Sequence, residues 1–100
     1  MRLGILINTA NHKRELVDIA RAAIAKSHEV TLFFMDGGVL LMREPEVASL
    51  ASIENLSVRY CDYSAMVHGL SRDEAPAEFE AGSQVDNLMM IRETDKVISL

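Results

Sequence analysis

The sequence predicts an α/β protein of three layers, α/β/α, built on a mostly parallel sheet of about five strands. Short apolar runs bounded by turn-forming residues alternate with segments whose apolar residues recur at helical spacing, the pattern of strands joined by helical crossovers. The chain has 100 residues, 49% of them hydrophobic and 25% charged, enough for one core and one domain over residues 1–100.

The run Leu3–Ile7 is uniformly apolar and is followed by Asn8-Thr9-Ala10-Asn11, which suits a strand buried on both faces that ends in a loop. From Asn11 the period changes. Leu16, Ile19, Ala20, Ala23 and Ile24 fall on one helical face, with Asn8, Thr9 or Asn11 as the N-cap. Glu29–Met35 is rich in β-branched and aromatic residues and stops at Asp36-Gly37-Gly38, so it reads as the second strand and its turn. Val39–Met42 and Glu46–Ile53 read as helical or irregular, with Pro45 placed to open a short helix.

Leu56–Tyr60 alternates and runs through Cys61-Asp62 into a helix that lasts to about Val67 and stops at Gly69. Ser71–Pro76 is loop-like, and Glu78–Gly82 reads as a short, exposed fourth strand. Ser83, three residues before Asp86, has the form of a helix start, and Val85, Leu88, Met89 and Arg92 share one face of the helix that follows. Lys96–Leu100 completes the sheet.

Ligands of open α/β sheets gather beyond the carboxyl ends of the strands. There this order of elements brings Asn8 and His12, Asp36, Gly37 and Gly38, Cys61 and Asp62, and Ser83. Cys61 is the single cysteine, so an internal disulfide is excluded, and the three histidines form no metal-binding spacing with it. It is either a buried apolar filler or a reactive thiol. At a strand-to-helix junction, free backbone N–H groups favour the thiolate, while the neighbouring Asp62 carboxylate opposes it unless it turns away to cap the helix. His68, two helical turns on, lies roughly 10 Å along the axis and is too far for proton transfer. His12 is the better placed cationic partner. The methionines Met35, Met42, Met66, Met89 and Met90 follow the secondary structure and read as core or subunit-interface filler. No metal or cofactor is implied.

Ten basic and fifteen acidic residues give a net charge of −5, which repels nucleic acid and anionic membrane surfaces. No stretch approaches the roughly 20 apolar residues of a membrane span, and the first residues lack a signal peptide's apolar region and cleavage site. A cytoplasmic location is expected.

Four segments together resemble the DsrE/DsrF/DsrH-like family, which includes the TusB/TusC/TusD sulfur-relay proteins. They are Leu3-Gly4-Ile5-Leu6-Ile7-Asn8; His28–Phe34 with Asp36-Gly37-Gly38-Val39; Val58-Arg59-Tyr60-Cys61 with His68-Gly69-Leu70; and Thr94–Leu100. The resemblance implies a carrier in which Cys61 accepts sulfur as a persulfide, with sulfur donor and acceptor proteins as partners and a homo-oligomer, trimer or hexamer, as the assembly. That function expects an exposed, reactive Cys61. The alternative, a non-catalytic oligomeric module binding a small ligand or protein in the same cleft, expects a buried or inert one. A phosphate-binding or receiver domain is disfavoured, because the chain has no P-loop, no G-x-G-x-x-G and no acidic cluster after the first strand.

Overall fold

The computed structural model describes residues 1–100. In chain order the elements are β1 (Arg2–Ile7), α1 (Lys13–Ala25), β2 (Glu29–Phe34), a 3-10 segment Asp36–Arg43, α2 (Pro45–Ala48), a 3-10 turn Ser49–Ser52, β3 (Leu56–Cys61), α3 (Asp62–Val67), a 3-10 turn Arg72–Glu74, β4 (Glu80–Gly82), α4 (Gln84–Glu93) and β5 (Lys96–Ser99). The five strands form one sheet in the order β4-β3-β2-β1-β5, every neighbouring pair parallel. This is the expected α/β/α architecture.

Strand order decides which face each helix covers. Parallel crossovers are almost always right-handed, so the steps β1→β2→β3→β4, which move one way along the sheet, place their connections on one face. The step β4→β5 reverses direction and places α4 on the other. Side chains alternate between the faces. Leu3, Ile5 and Ile7, Val30, Leu32 and Phe34, and Leu56, Val58 and Tyr60 join Leu16, Val17, Ala20, Val47, Leu50 and Ala65 in a core of 21 buried residues. On the α4 face a smaller cluster holds only Phe33, Cys61 and Met90, with Leu6 and Met35 packed against it.

Local chemistry sets the ends of the elements. Gly69, at φ 76°, terminates α3 as expected. Pro45 opens α2. The Ser83 hydroxyl accepts from Val85 N–H while Asp86 reaches back to the Ser83 N–H, a reciprocal cap that starts α4. At α1 the capping expectation fails: His12 takes the cap position and no side chain caps it. The second and last strands close one residue early, at Phe34 and Ser99, and β4 begins only at Glu80. Phe79, just before it, is drawn into the core and stacks on Phe34 at 5.9 Å.

Helix α4 has an inverted pattern. Met90 is its one fully buried side chain, beside the half-buried Asp86 and Asn87, while Val85, Leu88, Met89 and Ile91 face outward at 43–65% exposure. The face shared by Val85, Leu88, Met89 and Arg92 is therefore the outer one.

Two glycines permit close approaches. Gly4 lets Met90 and Thr94 lie against β1, where an added Cβ would meet both at 3.1 Å. Gly38 packs on the end of β1, where an added Cβ would collide with the Ile7 carbonyl oxygen, a backbone atom fixed by the sheet. Gly38→Ala is expected to cost about 2–3 kcal/mol in urea unfolding, with Gly37→Ala, whose nearest neighbour is 4.0 Å away, close to wild type on that count.

Candidate functional site

Cys61 is the last residue of β3 and the N-cap of α3. Strand alternation turns its side chain to the α4 face, between Phe33 and Met90, and leaves it 5% exposed. The exposed thiol that sulfur transfer leads one to expect is thus replaced by one nearly covered. Register brings β4 alongside, pairing Cys61 with Gly82, so the chain entering α4 passes directly over the sulfur.

Neutral donors of Ser64, Gln84 and Tyr63 act on that sulfur. Ser64, one turn into α3, donates its N–H to Cys61 Sγ at 3.5 Å, and its hydroxyl also acts on the sulfur. Gln84, the first residue of α4, donates its side-chain amide to the Met35 sulfur at 3.9 Å and also lowers the Cys61 thiol. Burial pushes the Cys61 thiol up and is the largest single influence. The Ser64 hydroxyl and N–H, the Gln84 amide and the Tyr63 N–H together outweigh it and hold the thiol below its ordinary value.

The other residues expected at this edge have local partners. Asp36 adopts φ 47° and donates its N–H to Ser64 Oγ at 2.9 Å, tying the loop after β2 to α3. Gly37 and Gly38 follow it into the 3-10 segment, so this stretch is the start of a helical turn rather than a bare loop. Asp62 turns away from Cys61 and pairs with Arg72 at 2.9 Å, which removes the opposing carboxylate; the cap of α3 is Cys61 itself. Ser83 is occupied in capping α4. The Asn8 N–H donates to the Leu100 carbonyl at the end of β5. His12 pairs with Glu15 in the first turn of α1, at 2.9 Å, and so is engaged on its own helix rather than with the sulfur. Ser64, Gln84 and Met35 were not anticipated as site residues. Ser64 had a weak signal, its place three residues after an N-cap; Gln84 had none.

A cleft of about 670 Å³ lies elsewhere on the α4 face, lined by Arg2, Glu29, Thr31, Ser57, Arg59 and Asp86 among others. Its charges are internally paired, Arg2 with Glu29 and Arg59 with both Asp86 and Glu80. It offers no convergent set of free donors comparable to that around Cys61.

The sequence profile of the DsrE/DsrF-like family matches residues 1–100. Among solved structures, MTH1491 from Methanobacterium thermoautotrophicum, described as a protein of unknown function, superposes with a TM-score of 0.79 at 16% identity, covering 99% of this chain and 98% of that one. The ychN protein from E. coli superposes with a TM-score of 0.74 at 18% identity, covering 99% and 97%. At these identities the likeness establishes the fold. No curated protein sequence matches the chain.

The stability of the α4 start, which overlies the sulfur, is expected to depend on pH. The Ser83 N–H is the main influence holding the Asp86 carboxyl below the usual carboxylate range; burial opposes it and Arg59 adds to it. Because the folded value lies below the unfolded one of about 3.9, the contribution is complete above that value and disappears as pH falls through the folded value. Asp86→Ala is expected to lose about 1 kcal/mol in urea unfolding near neutral pH, and the gap from wild type to close under strongly acidic conditions.

Proposed function

The chain belongs to the DsrE/DsrF-like family, and from that premise we propose that it is a cytoplasmic sulfur carrier that passes sulfane sulfur as a persulfide on Cys61. The observation that supports this most is the convergence of neutral hydrogen-bond donors on the only thiol of the chain, at the carboxyl edge of a parallel sheet. The Cys61 thiolate attacks the outer sulfur of a donor persulfide. A new sulfur–sulfur bond forms at Cys61 as the donor's own breaks, and the donor cysteine leaves with the electron pair as a thiolate. Transfer onward repeats the exchange with an acceptor thiolate, so no external oxidant is consumed. Gln84, an exposed side chain over the sulfur, is displaced to admit the donor and returns to shield the persulfide.

One observation favours the second reading, a binding module without sulfur chemistry: the 5% exposure of Cys61. Mass spectrometry of the intact protein separates the two. After incubation with polysulfide, or with thiosulfate and a rhodanese, wild type is expected to gain one or more sulfur masses that a reductant removes, and Cys61→Ser to gain none. No adduct on wild type, with slow alkylation of the folded protein, sinks the carrier reading.

Assembly as a homo-oligomer, a trimer or hexamer, belongs to the same proposal. The outward face of α4 presents Val85, Leu88, Met89 and Ile91, four exposed apolar side chains on one short helix, and Val97 is exposed on β5. A second copy buries it. Leu88→Glu is expected to shift the sedimentation coefficient of the protein toward that of the monomer without loss of helix content; a wild-type protein that sediments as a monomer at all concentrations contradicts the assembly.

A further inference from the structure

Ser64 has an arrangement that the packing of the core does not require. It is the only polar residue among the 27 buried ones, at 6% exposure. Its hydroxyl oxygen accepts the Asp36 N–H at 2.9 Å. A hydroxyl that accepts along one lone pair still has its proton to place, and no oxygen or nitrogen acceptor takes it here. The sulfur of Cys61 accepts the same residue's N–H at 3.5 Å, and the Ser64 hydroxyl lowers the same thiol. Asp36 itself sits at φ 47°, a left-handed conformation that aspartate tolerates better than most residues and that turns its N–H toward Ser64. The bonds run from the Asp36 N–H to Ser64 Oγ, and from the Ser64 N–H to Cys61 Sγ.

We infer that Ser64 is a positioning residue for Cys61, its hydroxyl aimed by the Asp36 amide so that the proton stabilises the thiolate, and that the loop after β2 thereby sets how much thiolate the carrier holds. The inference rests on the reading of Cys61 as a sulfur carrier and adds what regulates it: a partner or ligand that shifts the Asp36 loop turns the Ser64 hydroxyl and changes the reactivity of the sulfur. The charged groups nearby are engaged or remote from this chain of bonds. Asp62 is paired with Arg72 and Asp86 with Arg59, and the Asp36 carboxylate is exposed. The groups that lower the Cys61 thiol are neutral donors, with Ser64 supplying two of them.

The test is the pH dependence of Cys61 alkylation by iodoacetamide in the folded protein, with a thermal melt to confirm each variant. A hydrogen bond to a charged acceptor is strong enough that its loss is expected to raise the midpoint in Ser64→Ala by about one pH unit, with about a tenfold slower reaction below the midpoint. Ser64→Thr, which retains the hydroxyl, is expected to restore most of the shift. An unchanged midpoint in a folded Ser64→Ala overturns the inference. Should that variant not fold, the wild type decides by amide NMR: the Asp36 N–H is expected to titrate with the Cys61 midpoint, and an Asp36 N–H that stays fixed through it overturns the inference equally. A wild type that takes up no sulfur rejects the carrier reading alone, because the midpoint shift is read without any sulfur donor.

Discussion

The parallel register of β3 between β2 and β4 is the constraint from which the rest of the molecule follows. Parallel strands cannot be joined by tight turns, so every connection must travel back the length of the sheet, and all five strands end on the same edge. The chain leaving β2 at Asp36 and the chain leaving β3 at Cys61 emerge side by side, close enough for the Asp36 N–H to reach Ser64 across 28 residues of sequence. One more pairing, Cys61 with Gly82, delivers the start of α4 over the sulfur. Neither contact is local, and both are consequences of strand order.

The reversal of direction between β4 and β5 divides the protein into unequal halves. One face of the sheet carries α1, α2, α3 and the 3-10 segments over a core of 21 buried residues, which supplies most of the apolar burial that stabilises the fold. The other carries α4 alone, over three. A helix with so little to bury inward has no reason to follow the usual amphipathic rule, and α4 does not: Asp86 and Asn87 are half-buried while Leu88 and Ile91 face out. The site thus lies in the thinner half of the molecule, where local opening costs less than in the main core. A nearly covered thiol can therefore still be reached by moving the first turn of one helix rather than the fold.

This asymmetry also explains what the sequence alone revealed. Strands β1 and β2 were legible because residues buried on both faces leave near-continuous apolar runs, β3 because its apolar and polar residues alternate, and the starts of α2 and α4 because Pro45, and Ser83 with Asp86, act within a few residues. The apolar set Val85, Leu88 and Met89 was legible as a shared face but not as an outward one, because periodicity reports which residues share a side and not which side meets the sheet. The capping of α1 was misread because three candidates stand before Lys13 and none of their side chains is used. Around Cys61 the junction was legible and its environment was not. Asp62 turning to Arg72 and Gln84 returning across from α4 each depend on a tertiary approach that no spacing encodes.

In the proposed carrier role, a thiol that both takes and gives sulfur is poorly served by a strong cationic partner. Nucleophilicity falls as thiol acidity rises, and a persulfide bound too well by a fixed charge is slow to leave. Neutral donors working against burial achieve something different: they hold the thiol below its ordinary value with no fixed positive charge binding the thiolate in place. The histidine next to such a cysteine, which a hydrolase would need as a general base, has no counterpart here, since His12 is bonded to Glu15. Exchange between sulfur atoms requires no proton transfer at the reacting bond, so the absence of a base beside Cys61 is what this chemistry permits. The same argument places the control of reactivity in the geometry of uncharged groups, which a small movement of a loop can alter at little cost in stability, whereas a buried ion pair would resist it.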